Sequence, residues 1–252
     1  MKLGMCHSLM KASVVGEAGF DYIESALTGI VSADFEDFES SKKSIKESGL
    51  LLEVTNLFLP GNFRLTGPDA NLEPVKEYLS TCFDRAALLG TKIQVFGSGG
   101  ARNVPEGWSK EKAVLQLVDF LKLASTAAEK HGIQIAIEPL NKKECNIINT
   151  VQEALELSDK VNLPNVGVLA DWYHMEMDRE GVDGIFAAKE KLLHCHIANP
   201  VGRTYPLPDD ETDYSAFFGA LKKIGYSGRI SVEANGDEAD FARCYKRLKE
   251  YC

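Results

Sequence analysis

The stretch "IAIEPLNKKECNIINT", Ile135 to Thr150, decides the fold, because it carries a strand, a loop and a helix start in sixteen residues. Ile135, Ala136 and Ile137 form a short apolar run with the look of a buried strand. Thr150 with Glu153 makes a T-x-x-E capping box, so a helix opens at the end of the stretch. Between them stands Glu138, directly behind the apolar run. A carboxylate buried there costs several kcal/mol unless something positive or hydrogen-bonding meets it.

The same unit recurs along the chain. Apolar runs appear at "LGMCHS", "FDYIESAL", "LLLEVTNLFL", "KIQVFGSGG", "IQIAIEP", "VGVLADWYH", "LLHCHIANP" and "GRISVEANG", eight in all. Helical spacing lies between them, as at Val75, Tyr78, Leu79, Cys82, Phe83, Ala86 and Leu89, and at Val114, Leu117, Val118, Leu121 and Ala124. Gly90, Gly132, Gly225 and Gly228 mark returns from helix to strand. Alternating strands and helices imply a parallel sheet, and eight units in 252 residues is the size of a (β/α)8 barrel. A doubly wound open sheet competes, but "GMCHSLMKA" lacks GxGxxG after the first strand and no GxxxxGK[ST] occurs. The expected class is α/β, a single TIM-barrel domain over residues 1–252, with no linker or low-complexity tract to divide it.

Composition narrows the function. The net charge of −9 argues against nucleic acid and anionic membranes, which need basic surface. Neither a secretory signal nor a membrane span is apparent, so a cytoplasmic protein is expected. Six scattered cysteines without a CxxC pair suggest reduced thiols rather than a disulfide framework or thiolate zinc site.

Functional residues of such a barrel sit at the C-terminal ends of its strands. Glu138 ends the fifth, Asp171 and His174 the sixth, His196 the seventh and Glu233 the eighth. Any one of them has an ordinary explanation as a cap, a solvated acid or a core histidine. Together they converge on one axis, where three uncompensated carboxylates repel one another. A divalent cation held by Glu138, Asp171, His196 and Glu233 resolves this. The mostly hard oxygen set suits Mn²⁺ or Mg²⁺, with Co²⁺ or Zn²⁺ as alternatives.

At these residues the sequence resembles a known family. "EPLNKKE…NT", "DWYH", "HCHIAN" and "VEANG" look like the sugar isomerase/epimerase superfamily of xylose-isomerase-like TIM barrels, which includes ketose 3-epimerases, hydroxypyruvate isomerase and inosose dehydratase. The resemblance spans the chain, including "NLFLPGNFRLTGPD" and "FGSGGARNVPEG". It implies that Glu138 and Glu233 are catalytic as well as metal ligands, flanking the substrate carbon and exchanging a proton beside a carbonyl through a cis-enediolate. It further implies that Glu144, His174 and Arg203 bind substrate hydroxyls, and that the chain forms a homodimer or homotetramer. Lys142 and Lys143 depart from the arginine and aromatic of the 3-epimerases.

The expected function is therefore a metal-dependent sugar isomerase or epimerase. A lyase of the same fold, dehydrating an inosose or eliminating beside a ketone, is the alternative, and a non-catalytic sugar-binding barrel or subunit a third. An endonuclease of this fold needs more strand-end histidines than five in the whole chain allow. His7 and Glu24, at the first two strand ends, point toward the mouth as candidate substrate contacts, with Asn56, Phe58 and Trp172. The turn Gly97 to Arg102 is a possible anion nest. His194, two residues before His196, is expected one layer deeper.

Overall fold

Each apolar run forms a strand in the computed structural model, which describes residues 1–252. The strands are β1 (Lys2–Cys6), β2 (Tyr22–Ala26), β3 (Leu52–Asn56), β4 (Ile93–Phe96), β5 (Gln134–Ile137), β6 (Val166–Asp171), β7 (Leu192–Ile197) and β8 (Arg229–Val232). All neighbours pair in parallel, and β8 closes onto β1, giving a closed barrel in sequence order. A principal helix follows every strand. Examples are Glu73–Leu89 after β3, Lys110–Glu129 after β4, Val151–Val161 after β5 and Ser215–Lys223 after β7. Thr150 caps its helix by accepting from the Glu153 N–H at 3.1 Å, and the Glu153 carboxylate returns to the Asn149 N–H. No helix is long and apolar enough to cross a membrane.

Alternation along the strands divides the apolar residues into two layers. Sixty-three buried residues fill the space between sheet and helices. Tyr22, Val54, Ile93, Val95, Ala136 and Leu169 form a separate cluster inside the barrel, with Leu193 against it. Two bulges adjust which residues point inward. Between the pairs Ile23↔Leu52 and Glu24↔Val54, β3 carries the extra Glu53, and β7 carries the extra Leu193 between Leu192 and His194. The second bulge fixes the phase that sends His194 and His196 to the interior. At the opposite end of the barrel Glu53 pairs with Lys2 at 2.6 Å and with Arg229.

Phe58 packs among Phe83, Phe96 and Phe120 and is fully buried, so it belongs to the helix-facing core rather than to the mouth. Phe217 and Phe218 are likewise buried and unavailable to a subunit interface.

Gly4 is required by a close approach. A Cβ built on it would lie 2.2 Å from Cζ of Tyr22, whose ring fills the barrel beside it and whose hydroxyl meets Ser231 Oγ at 2.7 Å. Gly4→Ala is expected to destabilise the chain by about 1–3 kcal/mol through overpacking. Thermal denaturation followed by circular dichroism should show a Tm loss of roughly 2–4 °C per kcal/mol; an unchanged Tm would remove this account of the interior.

Candidate active site and metal centre

The carboxylates converge as their strand positions require. One ligand atom from each of Glu138, Asp171, His196 and Glu233 lies within 4.8 Å of those of the others. His196 is at the centre. Its Nδ1 is 3.0 Å from Glu138 Oε1, 3.5 Å from Glu233 Oε2 and 4.0 Å from Asp171 Oδ2. Its Nε2 turns the other way, 3.0 Å from Glu24 Oε1.

Each carboxylate is held from its own element. The Glu138 N–H donates to Phe96 O across β4 and β5, and the Glu138 side chain closes against Gly97, where a Cβ would be 2.2 Å from Oε2. Glycine is needed here for the same reason as at position 4. Asp171 caps the helix Trp172–Met177, its Oδ1 accepting from the Tyr173 N–H at 2.7 Å. Asn56 Nδ2 donates to Glu233 Oε1 at 3.2 Å, and the Arg203 guanidinium pairs with Glu233 Oε2.

Whether this set fits a cation is answered by Asp171. Its Oδ2 is buried without a hydrogen-bond partner while facing the cluster. A buried, unsatisfied carboxylate oxygen beside two more carboxylates and an imidazole is a site built for positive charge. The donor set, three carboxylates and one imidazole, fits a hard divalent ion. As side chains alone they strain against each other. Burial raises the Glu138 pKa above the ordinary carboxylate range despite His196. Burial pushes Glu233 the same way, but His196 and Arg203 outweigh it and bring it to about 2. His196 rises well above its ordinary value, burial opposing the shift and Glu24 and Glu233 driving it.

Beside the cluster opens a cavity of about 500 Å³. Glu144, His174 and Arg203 line it together with Glu138 and Glu233. His174 Nδ1 accepts from the Asn141 backbone N–H at 3.2 Å and lies 2.8 Å from Asn141 Nδ2, which places its Nε2 3.5 Å from Asp171 Oδ2. Asn141 Nδ2 also donates to Glu144 Oε1 at 2.9 Å. Arg203 lies over the Tyr173 ring at 4.6 Å and is 3.6 Å from Glu144 Oε1.

Other expected mouth residues lie elsewhere. Glu24 is fully buried beneath His196, accepting from both His194 and His196, so substrate does not reach it. His194 is one layer deeper, as its spacing predicts. Trp172 is buried against Phe217, with ring centroids 5.5 Å apart, because the first turn of its helix faces Ser215–Lys223 instead of the cavity. His7 packs edge-on against Phe241 at 5.4 Å and does not line the cavity. Arg102 is no anion ligand. Its buried guanidinium donates to the backbone oxygens of Phe96 at 3.0 Å and Glu138 at 2.7 Å, fastening the ends of β4 and β5 together. Sequence reasoning also missed Asn141, whose only signal was its place three residues after Glu138.

Known proteins give the family of the chain. The profile described as Xylose isomerase-like TIM barrel matches residues 13–251, and the chain belongs to that family. It is similar to an L-ribulose 3-epimerase of Methylomonas sp. (strain DH-1), 32% identical over 224 residues, covering 88% of this chain and 76% of the relative. A ketose 3-epimerase of Arthrobacter globiformis is 29% identical over 239 residues, covering 92% and 78%. Among solved structures, a D-allulose 3-epimerase from Methylomonas sp. superposes with a TM-score of 0.87 at 26% identity, covering 100% of this chain and 98% of that one. The chain is an enzyme of the isomerase and epimerase class.

If the cluster holds a cation, Mn²⁺ added to chelator-treated protein should raise Tm. At a concentration 100-fold above Kd the gain is about 2.7 kcal/mol. Asp171→Ala should abolish the rise while leaving circular dichroism intact, whereas a wild-type Tm indifferent to Mn²⁺, Mg²⁺, Co²⁺ and Zn²⁺ would count against a metal centre.

Proposed function

We propose that the chain moves a proton at a carbon beside the ketone of a ketose or related keto-sugar, with Glu138 and Glu233 as the exchanging pair. The observation that carries this is their placement. Two glutamates from strands on opposite parts of the barrel, β5 and β8, reach one cluster and both line one cavity. The names of the relatives, L-ribulose 3-epimerase and ketose 3-epimerase, support the substrate class.

Glu138, Asp171, His196 and Glu233 would hold the cation, Mn²⁺ or Mg²⁺ by the hardness of their oxygens. When bound, such an ion polarises a carbonyl and raises the acidity of the neighbouring C–H. The remaining steps belong to the side chains. One glutamate takes the proton as the C–H bond breaks, its electron pair passing toward the carbonyl oxygen to give a cis-enediolate. The other glutamate returns a proton to the same carbon from the opposite face, which inverts the stereocentre. Glu144 and His174, fixed through Asn141, and the Arg203 guanidinium supply acceptors and donors for the flanking hydroxyls. Orientation of this kind is what keeps the reactive carbon between two acids rather than free to tumble.

A lyase shares the first proton transfer and differs only in expelling a leaving group, so product analysis decides between them. Metal-loaded protein is incubated in D₂O with ketoses, keto-inositols and 3-keto-glycosides and followed by NMR. Deuterium at one carbon beside the carbonyl, with an epimer of unchanged skeleton accumulating, is the expected result; loss of water or an aglycone would assign the lyase reaction. Glu138→Gln and Glu233→Gln should each lower turnover by roughly 10²–10⁴-fold. Full turnover in either variant would eliminate the two-glutamate mechanism.

A further inference from the structure

We propose that Glu24 is the positioning residue that decides which ring nitrogen of His196 faces the metal cluster. This rests on the metal reading above and extends it to a residue behind the ligands.

Glu24 is wholly buried, yet its ion-pair partners include no lysine or arginine. Its two oxygens are divided between two imidazoles. His194 Nε2 is 2.9 Å from Oε2, and His196 Nε2 is 3.0 Å from Oε1. A carboxylate only accepts, so each Nε2 carries the hydrogen. By the same rule His196 Nδ1, 3.0 Å from Glu138 Oε1, also carries a hydrogen in the metal-free cluster; a cation among Glu138, Glu233 and Asp171 would take the place of that hydrogen, while Glu24 holds the other on Nε2. His194 completes the anchorage. Its Nδ1 is buried without a partner, so all its hydrogen bonding runs through Nε2, which also lies 3.3 Å from Ser231 Oγ, itself bonded to Tyr22. A column of polar groups thus descends from the cluster into the barrel, and Glu24 is its junction.

The isosteric change Glu24→Gln exposes the role. A carboxamide has one oxygen for two N–H donors and presents its own N–H₂ to the other imidazole. One histidine must then leave its Nε2 bare and carry its hydrogen on Nδ1. At His194 that hydrogen would be buried with no acceptor, whereas at His196 three carboxylates wait to receive it. With a single hydrogen left on His196, it therefore stays on Nδ1, a donor where a ligand is needed, instead of on Nε2.

The test measures binding of Mn²⁺ and Zn²⁺ by isothermal titration calorimetry, with imidazole nitrogen-15 NMR of the diamagnetic Zn²⁺ form. Wild-type protein should show His196 protonated at Nε2 and ligating through Nδ1. Glu24→Gln should keep its circular dichroism and lose roughly 10–100-fold in affinity for both ions. Wild-type affinity in a folded Glu24→Gln protein overturns the proposal alone. So does a wild-type spectrum with the His196 hydrogen on Nδ1, a result that needs no variant to fold. A wild-type chain that binds neither ion removes the metal reading and this proposal with it.

Discussion

The constraint on which the site depends is the crowding of negative charge around His196. Glu138, Asp171 and Glu233 approach its Nδ1 from three strands, and Glu24 meets its Nε2 from a fourth. Four buried or half-buried carboxylates about one imidazole are a large electrostatic liability in a low-dielectric interior. Arg203 relieves one side of it by pairing with Glu233, yet Asp171 Oδ2 still lacks a partner. Such an arrangement persists in a folded chain when function requires it, and a divalent cation is the simplest charge that satisfies all its open oxygens.

The scaffold holds these groups through rigid elements rather than loops. Arg102 fastens the ends of β4 and β5 by donating to Phe96 O and Glu138 O. Gly97 permits Glu138 to lie flat against the adjoining backbone. The bulge at Leu193 sets the phase of β7 so that His194 and His196 both face inward. Each device limits the freedom of a side chain whose chemistry depends on placement to within a fraction of an ångström.

The barrel and the convergence of Glu138, Asp171, His196 and Glu233 were legible in the sequence because both follow from one-dimensional periodicity. Eight apolar runs separated by helical spacing specify parallel crossovers, and a polar residue directly after such a strand, as Glu138 and Glu233 are, stands at the mouth. Side chains at the first turn of a following helix were not legible in this way. Trp172 comes directly after Asp171, yet helical twist turns it outward to Phe217, while His174, two residues further on, returns to the cluster. Glu24 failed for another reason. The apolar run suggested a strand end, but β2 continues to Ala26, so Glu24 lies mid-strand below the mouth, where two histidines of β7, about 170 positions away, bond to it. Arg102 looked like an anion ligand because its sequence neighbours are glycines, and only the fold shows its donors consumed by backbone oxygens.

The division between strands and loops also explains why the ligand motifs do not choose among reactions of the family. The four clustered side chains stand at the ends of β5 to β8, where barrel closure fixes them. Recognition depends on the segments beyond. Arg203 sits in a left-handed backbone conformation, φ +52°, in a loop pinned by bridges from Thr204 to Asn199 and Asn235, and its guanidinium rests on Tyr173. Left-handed geometry in a non-glycine residue persists only when its surroundings over-determine it, and here they aim one cation at Glu233 and Glu144. The facing wall is different in kind. It is built from Gly61, Gly97, Ser98, Gly99, Gly100 and the apolar Leu57, Leu59 and Pro60, and no Phe, Tyr or Trp lines the cavity. In the proposed reaction, orientation of the substrate would therefore come from charged and polar contacts on the Glu144, His174 and Arg203 side, with the small-residue wall setting how much bulk its far end carries.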